Sequence, residues 1–409
     1  MTTSLPGNEQ PEYQLTDALD IDYYGVFADI SEADRTMWQR AREFGETHVE
    51  TMRAGWNAHH YPLEVAQAMG EAGLINDGVD HPDIEKISPL AAGLVNMELS
   101  RIDGSLGTIV AVQAGLALRT ITMFGTAEQQ AKYIKPIVNV EMPAAFGLTE
   151  PDHGSDSTGL ATTATRQADG SYTIRGSKRW IGNGSAGGIT ITFARVHDEG
   201  ADDHGKVRGF IVPQDSEGYT GTPIRHKGSL RAIDQADIDY DDVHVGADAL
   251  VEGVKSFREV SQVLYATRVG VAWSALGHAT AAFESAVAYA TQRKQFGKYL
   301  AEHQMVQERL TRMLSELVSM QLYMVHVADL ETAGKLKPTQ AALAKYNNTR
   351  TARRIAAEAR DMLGGNGILL ENGVIQHMAD IEGIHTYEGT ESVQALLVGR
   401  DITGYGAFV

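Results

Sequence analysis

The hydrophobic period of this chain changes twice, and that limits the folds open to it. Up to about residue 142, apolar residues recur at helical spacing. Ser31 and Asp34 resemble an N-cap with an acidic first turn, after which Trp38, Ala41 and Phe44 share one face. Tyr61-Pro62-Leu63 begins another short helix. Residues 91–101 and 104–124 read as two buried helices, and 126–133 as one more after a stop at Gly125. From Pro143 to about Val245 the period is two. Strands are predicted at 162–166, 171–175, 189–196, 209–213 and 237–245, with a turn at Asp169-Gly170. Helical spacing returns near Val254. Val269, Trp273, Leu276 and Thr280 share a face, as do Val306, Leu310, Met313, Leu317 and Met320. A third helix runs from Pro338 to about Leu363 and is stopped by Gly364-Gly365-Asn366-Gly367. The expected organisation is α+β: a polar, loosely ordered arm at 1–30, a helical domain at 31–142, a β domain at 143–253 and a helical domain at 254–409. No βαβ alternation occurs, which argues against a doubly wound nucleotide fold and a nicotinamide dehydrogenase.

Composition narrows the chemistry. Across 409 residues, 35 Lys and Arg face 53 Asp and Glu, a net charge of −18. Such a balance opposes a nucleic-acid or anionic-membrane partner, while leaving room for an anionic ligand on a local basic patch. There is no Cys, which excludes disulfides, thiolate metal sites and a Cys nucleophile. No HExxH or GxSxG motif occurs, and the His residues are scattered, so no metal is expected. The N-terminus lacks a basic and then apolar leader, and the ending GYGAFV is no targeting address. The apolar stretch 108–118 is broken by Gln113 and Gly115, short of the ~20 residues of a membrane span. A soluble cytoplasmic protein is expected.

Four segments carry candidate chemistry. Residues 146–156, Phe-Gly-Leu-Thr-Glu-Pro-Asp-His-Gly-Ser-Asp, lie at the helix-to-strand junction. Thr149, Gly154 and Ser155 there offer hydroxyls and backbone N–H groups to an anion or a flat ring, or form a plain polar loop. In Lys178-Arg179-Trp180-Ile181-Gly182-Asn183-Gly184, an aromatic precedes small residues. Trp180 either stacks on a planar ligand or belongs to the core. Arg293-Lys294-Gln295-Phe296-Gly297-Lys298 sets three cations and an aromatic at a helix break, suited to a phosphate or to solvent. Glu388, in Tyr387-Glu388-Gly389-Thr390-Glu391, sits in a short loop between Gly383 and a helix starting near Glu391. A Glu so placed is ordinarily a surface residue.

Together, in this order, the segments resemble the acyl-CoA dehydrogenase family over about residues 31–408. LTEPDHGSD is similar to one family signature, RDMLGGNG followed by TYEGTES to another, and RKQFGKYLAEHQ lies between them. The resemblance implies an N-terminal helical domain, a β-barrel-like middle domain and a C-terminal four-helix bundle. It also implies a homotetramer built as a dimer of dimers, one FAD per subunit, and a place in fatty-acid β-oxidation. Phe146, Leu148, Thr149, Gly154 and Ser155 would run along the flavin, with Trp180, Ile181 and Gly182 beside its ring. Arg293, Phe296, Gln304, Asp361, Leu363, Gly364 and Gly365 would reach the FAD of a neighbouring subunit, and Thr390 and Ser392 would bind FAD near the catalytic loop. Ser155, Tyr265, Arg268, Gly107, Thr108 and Gly389 would line the acyl-CoA site. Glu388 would be the base, removing the α proton while a hydride leaves the β carbon for flavin N5, giving a trans-2-enoyl-CoA. Burial raises the pKa of such a Glu and suits it to that task.

Within the family, the likeness is greatest to glutaryl-CoA dehydrogenases and short-chain acyl-CoA oxidases. The Arg that recognises a distal carboxylate in the former aligns with Gly107, and its companion Glu with Ser100. A glutaryl carboxylate would therefore be buried unpaired, at a cost of several kcal/mol. A short-chain substrate is expected, with electron-transferring flavoprotein or O2 as acceptor. Gly182, where many relatives carry Thr, is expected to leave room beside N5 and ease access of O2. A flavin N-hydroxylase on this fold would not need Glu388, and a non-catalytic scaffold would carry no flavin.

Overall fold

The computed structural model describes residues 14–407. The N-terminal helices form where caps and apolar stripes coincide. In α1 (Glu32–Ala58) the Ser31 hydroxyl accepts from the N–H of Asp34 at 3.1 Å, and Met37, Trp38, Ala41, Phe44, Met52 and Trp56 are buried. α2 (Leu63–Glu71) follows Pro62, and α3 (Pro89–Ile102) is capped by Ser88. The stretch expected as one helix at 104–124 is α4 (Gly104–Val110), a π-helical segment (Ala111–Leu118) and α5 (Arg119–Phe124). By length and composition this stretch is apolar enough to cross a membrane, contrary to the expectation, and 72% of it is buried inside the protein. α6 (Ala127–Val138) starts at a capping box of Thr126 and Gln129.

The loose arm expected at 1–30 is partly corrected. Residues 14–30 pack on the body: Phe27 is buried, Ser285 Oγ donates to the Leu15 carbonyl, and Ile21 N–H donates to Glu284. Residues 1–13, with Pro6 and Pro11, and residues 408–409 lie outside the described residues.

The middle region is a sheet in the order β6-β7-β3-β2-β4-β5-β8, with β1 also on β4. The strands are β1 (Ala144–Gly147), β2 (Thr163–Arg166), β3 (Tyr172–Gly182), β4 (Ile189–His197), β5 (Val207–Pro213), β6 (Tyr219–Pro223), β7 (Gln235–Val245) and β8 (Leu250–Val251). β1 and β2 both run parallel to β4, one beside each end of it. The β3–β7 register shifts twice, the second time between Lys178 and Ile181. The reading by period missed β1, β6 and β8.

α7 (Phe257–Gln292) is the central helix of the C-terminal region and packs on both α3 and α9. Its approach to α3 needs Gly277, where a Cβ would lie 2.1 Å from the Met97 carbonyl oxygen. A short hairpin of β9 (Lys294–Gln295) and β10 (Lys298–Tyr299) leads to α8 (Gln304–Thr332) and α9 (Pro338–Met362). α10 (Val374–Thr386) and α11 (Glu391–Thr403) follow a 3-10 turn at Gly364–Ile368. Gly383 therefore lies inside a helix and does not open the loop of Glu388.

Candidate active site

A cleft of about 230 Å³ opens where the helical regions meet the sheet. Its first wall comes from the ends of β1 and β3. Phe146, Leu148, Thr149, Gly154 and Ser155 lie along it, with Trp180, Ile181 and Gly182 beside them. The wall is locked from behind. Lys178, fully buried, donates to the Leu148 carbonyl at 3.1 Å and pairs with Glu150 at 2.8 Å. Glu150 also accepts from the N–H groups of Ala161 and Thr162 and from the Thr162 hydroxyl. Burial opposes the Glu150 charge, but Lys178 and these hydrogen bonds outweigh it and hold the carboxyl down at about 2. The N–H of Arg179 donates to the Thr149 carbonyl at 2.8 Å. Trp180 has a positive φ of 64° within the bulge of β3, and that turn leaves its ring 51% exposed at the cleft. It is not a core residue.

Gln113 joins this wall to the helices. Its amide donates to the carbonyls of Ile137 and Met142, and its oxygen accepts from Ala144 N–H and Asn183 Nδ2. The π-helical segment around it carries Ala111, Val112 and Leu116 on the cleft. A Cβ at Gly182 would stand 2.7 Å from Val112 Cγ2, so Val112 occupies the space a side chain there would take.

The other wall carries the ionisable groups. Glu388 and Gly389 lie in the loop between α10 and α11, and Arg268 reaches in from α7. Glu388 Oε2 accepts from the Thr267 hydroxyl at 2.9 Å. Burial raises the Glu388 carboxyl above its ordinary range; the Thr267 hydrogen bond and the charges of Lys345 and Arg268 offset this only in part. Arg268 is buried, and its Nε and Nη1 have no protein partner. Its guanidinium lies 4.7 Å from the Tyr265 ring centroid.

The structure thus brings Thr108, Phe146, Leu148, Thr149, Gly154, Ser155, Trp180, Ile181, Gly182, Arg268, Glu388 and Gly389 to one cleft. Tyr265 stands behind Arg268. Gly107 is buried away from the cleft, its Cβ direction closed by Ser100 Oγ at 2.1 Å. Thr390 caps α11 by accepting from Val393 N–H, and Ser392 is in the first turn of that helix. Arg293, Phe296, Gln304, Asp361, Gly364 and Gly365 are exposed and do not line this chain's cleft; Phe296 is 95% exposed. Asp361 pairs with Arg309 at 2.7 Å, and Leu363 is buried in the core. Thr267, Leu264, Gln235 and Lys345 were missed. The only signal for Lys345 was a cation on an alanine-rich, inward-facing stripe of α9.

The first wall suits a flat aromatic cofactor. It offers an exposed indole, the hydroxyls of Thr149 and Ser155, and open space at Gly154, with no atom within 4 Å of a Cβ there. A carboxyl of raised proton affinity faces the same cleft. That combination fits a flavin-dependent oxidoreductase acting on a C–H acid, the class that the motif resemblance implies.

Comparison with known proteins places the chain within that class. Family profiles for the acyl-CoA dehydrogenase N-terminal, middle and C-terminal domains match residues 31–141, 145–243 and 257–403. The short-chain specific acyl-CoA dehydrogenase of Megasphaera elsdenii is 35% identical over 303 residues, 74% of this chain and 79% of that protein. A crystal structure of glutaryl-CoA dehydrogenase from Mycobacterium smegmatis superposes with a TM-score of 0.90 at 34% identity, covering 94% of this chain and 98% of that one. A glutaryl-CoA dehydrogenase from the same organism in complex with FADH2 gives 0.89 at 31% identity, covering 93% and 97%. The chain belongs to the acyl-CoA dehydrogenase family. It is an oxidoreductase that acts on acyl-CoA, and its cofactor is FAD.

Proposed function

We propose that this enzyme converts short-chain, monocarboxylic acyl-CoA thioesters to trans-2-enoyl-CoA, with Glu388 as the base. The observation that carries this reading is the Glu388 carboxyl, raised in proton affinity by burial and lining one cleft with Trp180 and Gly182. The α C–H of a thioester is a weak acid, so its removal needs a positioned base of matched affinity. Glu388 takes the α proton onto a carboxylate oxygen, and Thr267 keeps that oxygen oriented. FAD, bound along Phe146 to Ser155 and Trp180 to Gly182, supplies the acceptor for the electron pair that leaves with the β hydrogen. Arg268, with its free N–H groups, adds positive charge beside the base.

Ala111, Val112, Leu116 and Leu264 offer the acyl chain a small apolar surface, which suits a short tail. No cation stands at Gly107, and Ser100 is engaged with Ser274 Oγ at 2.8 Å, so the carboxylate-recognising pair of the glutaryl-CoA enzymes has no counterpart at these positions. Val112 occupies the space a side chain at Gly182 would take, which supports electron-transferring flavoprotein over O2 as the acceptor we assign. A tetramer in the cytoplasm completes the proposal. The test is an anaerobic panel of saturated acyl-CoAs added to the oxidised flavoprotein. Butyryl-CoA should bleach the flavin and glutaryl-CoA should not. Bleaching by glutaryl-CoA at a comparable rate would overturn the substrate assignment.

A further inference from the structure

Glu388 stands in a turn that an isolated peptide would not keep. Its φ is 55° and that of Gly389 is 84°, two left-handed residues in succession. A non-glycine residue held there costs about 1 kcal/mol or more. Neighbouring side chains impose the turn. Lys345, on the inward face of α9, is 1% exposed, and its ammonium donates to the carbonyls of Tyr387 and Gly389, the residues on either side of Glu388. From the other side, Gln394 Nε2 donates to the carbonyls of Glu388 at 2.8 Å and Gly389 at 3.1 Å. A buried ammonium is costly unless it is paired. Burial pulls the Lys345 ammonium down to about 7, and among the described residues the charge that opposes this is that of Glu388 itself.

We propose that Lys345 is the positioning residue of this reaction: it holds the turn that aims the Glu388 carboxylate into the cleft. Its charge also favours the ionised form of that base. The assignment rests on reading Glu388 as the base. The groups facing Glu388 are Thr267 and Arg268 from α7, Lys345 from α9 and Asp77 from the segment after α2. Lys345 and Arg268 lower its proton affinity, and Asp77 raises it. Removing the ammonium therefore has two separable effects: the turn loosens, and the base becomes harder to ionise.

The experiment is anaerobic stopped-flow bleaching of the FAD holoenzyme by butyryl-CoA across pH, for wild type, Lys345→Met and Glu388→Gln. Lys345→Met should keep its FAD and its half-saturating butyryl-CoA concentration. Its limiting rate should fall by about 10²-fold, as expected when a reacting group is displaced by roughly an ångström. The pKa that governs that rate should move up. A folded, FAD-loaded Lys345→Met with wild-type rate and pH profile would overturn the assignment. If that variant does not fold, Lys345→Gln keeps an N–H donor without the charge and decides the matter by its profile. An upward shift supports the role, and an unchanged profile overturns it. Glu388→Gln reports separately on the base: if it bleaches normally, the reading of Glu388 fails whatever Lys345 does.

Discussion

At the scale of single residues, two buried lysines of unlike function stand behind the cleft. The pair of Lys178 and Glu150 is fixed by hydrogen bonds on every side and has no reacting partner, so its work is to hold the strand wall. Because the Glu150 carboxyl is held at about 2, below its ordinary 4.5, the stability it contributes is complete above the ordinary value. That stability is lost as pH falls from there toward 2. FAD release followed by fluorescence should therefore begin in this acid window, and Glu150→Gln should release FAD at a higher pH. Leaving Lys178 buried and unpaired should also cost about 3 kcal/mol in denaturant unfolding. A variant as stable and as tightly loaded as wild type would contradict this. Lys345 instead donates to the carbonyls on either side of Glu388, and it is the Glu388 carboxylate that meets the cleft. Sequence spacing alone placed Glu388 in a loop before a helix but carried no sign of its burial. Its role became legible only beside the other motifs, and Lys345 stayed hidden because a single Lys among alanines has no local signature.

At the scale of elements, periodicity found β2, β3, β4, β5 and β7, because each alternates or runs apolar for long enough. It missed β1, whose four residues, Ala144 to Gly147, are all buried and show no alternation. It missed α10, because Gly383 looked like the start of the loop that carries Glu388. In the structure that glycine permits close packing, with Ser229 Oγ 2.5 Å from where its Cβ would be. The π-helical segment was also invisible, since it has the same apolar composition as the α-helices around it. Gln113 was read only as a break in that apolar run, yet it links the π segment to α6, β1 and β3 through four hydrogen bonds. Gln113→Leu should leave those carbonyls and N–H groups unpaired. We expect a loss of about 2–3 kcal/mol in unfolding free energy and weaker FAD retention, read from the fraction of flavin lost on gel filtration. An unchanged flavin content would show that the junction is held by other contacts.

At the scale of the whole molecule, the order of helices, sheet and helices was legible from the change of period alone. The residues proposed to reach a neighbouring chain were legible only through the motif resemblance. Phe296 on the β9–β10 hairpin and Gly364 and Gly365 after α9 are exposed. If they complete a neighbour's FAD site, Phe296→Asp should lower both flavin content and assembly size, measured together by light scattering and absorbance. A variant that keeps full flavin as a single chain would contradict the assembled arrangement.

The central claim is that the Glu388 carboxylate takes the α proton. Its most direct test is the single-turnover bleaching rate of Glu388→Gln with saturating butyryl-CoA. A variant that binds FAD and butyryl-CoA as wild type does but bleaches about 10³-fold more slowly is the result this structure predicts. Bleaching at the wild-type rate would contradict it.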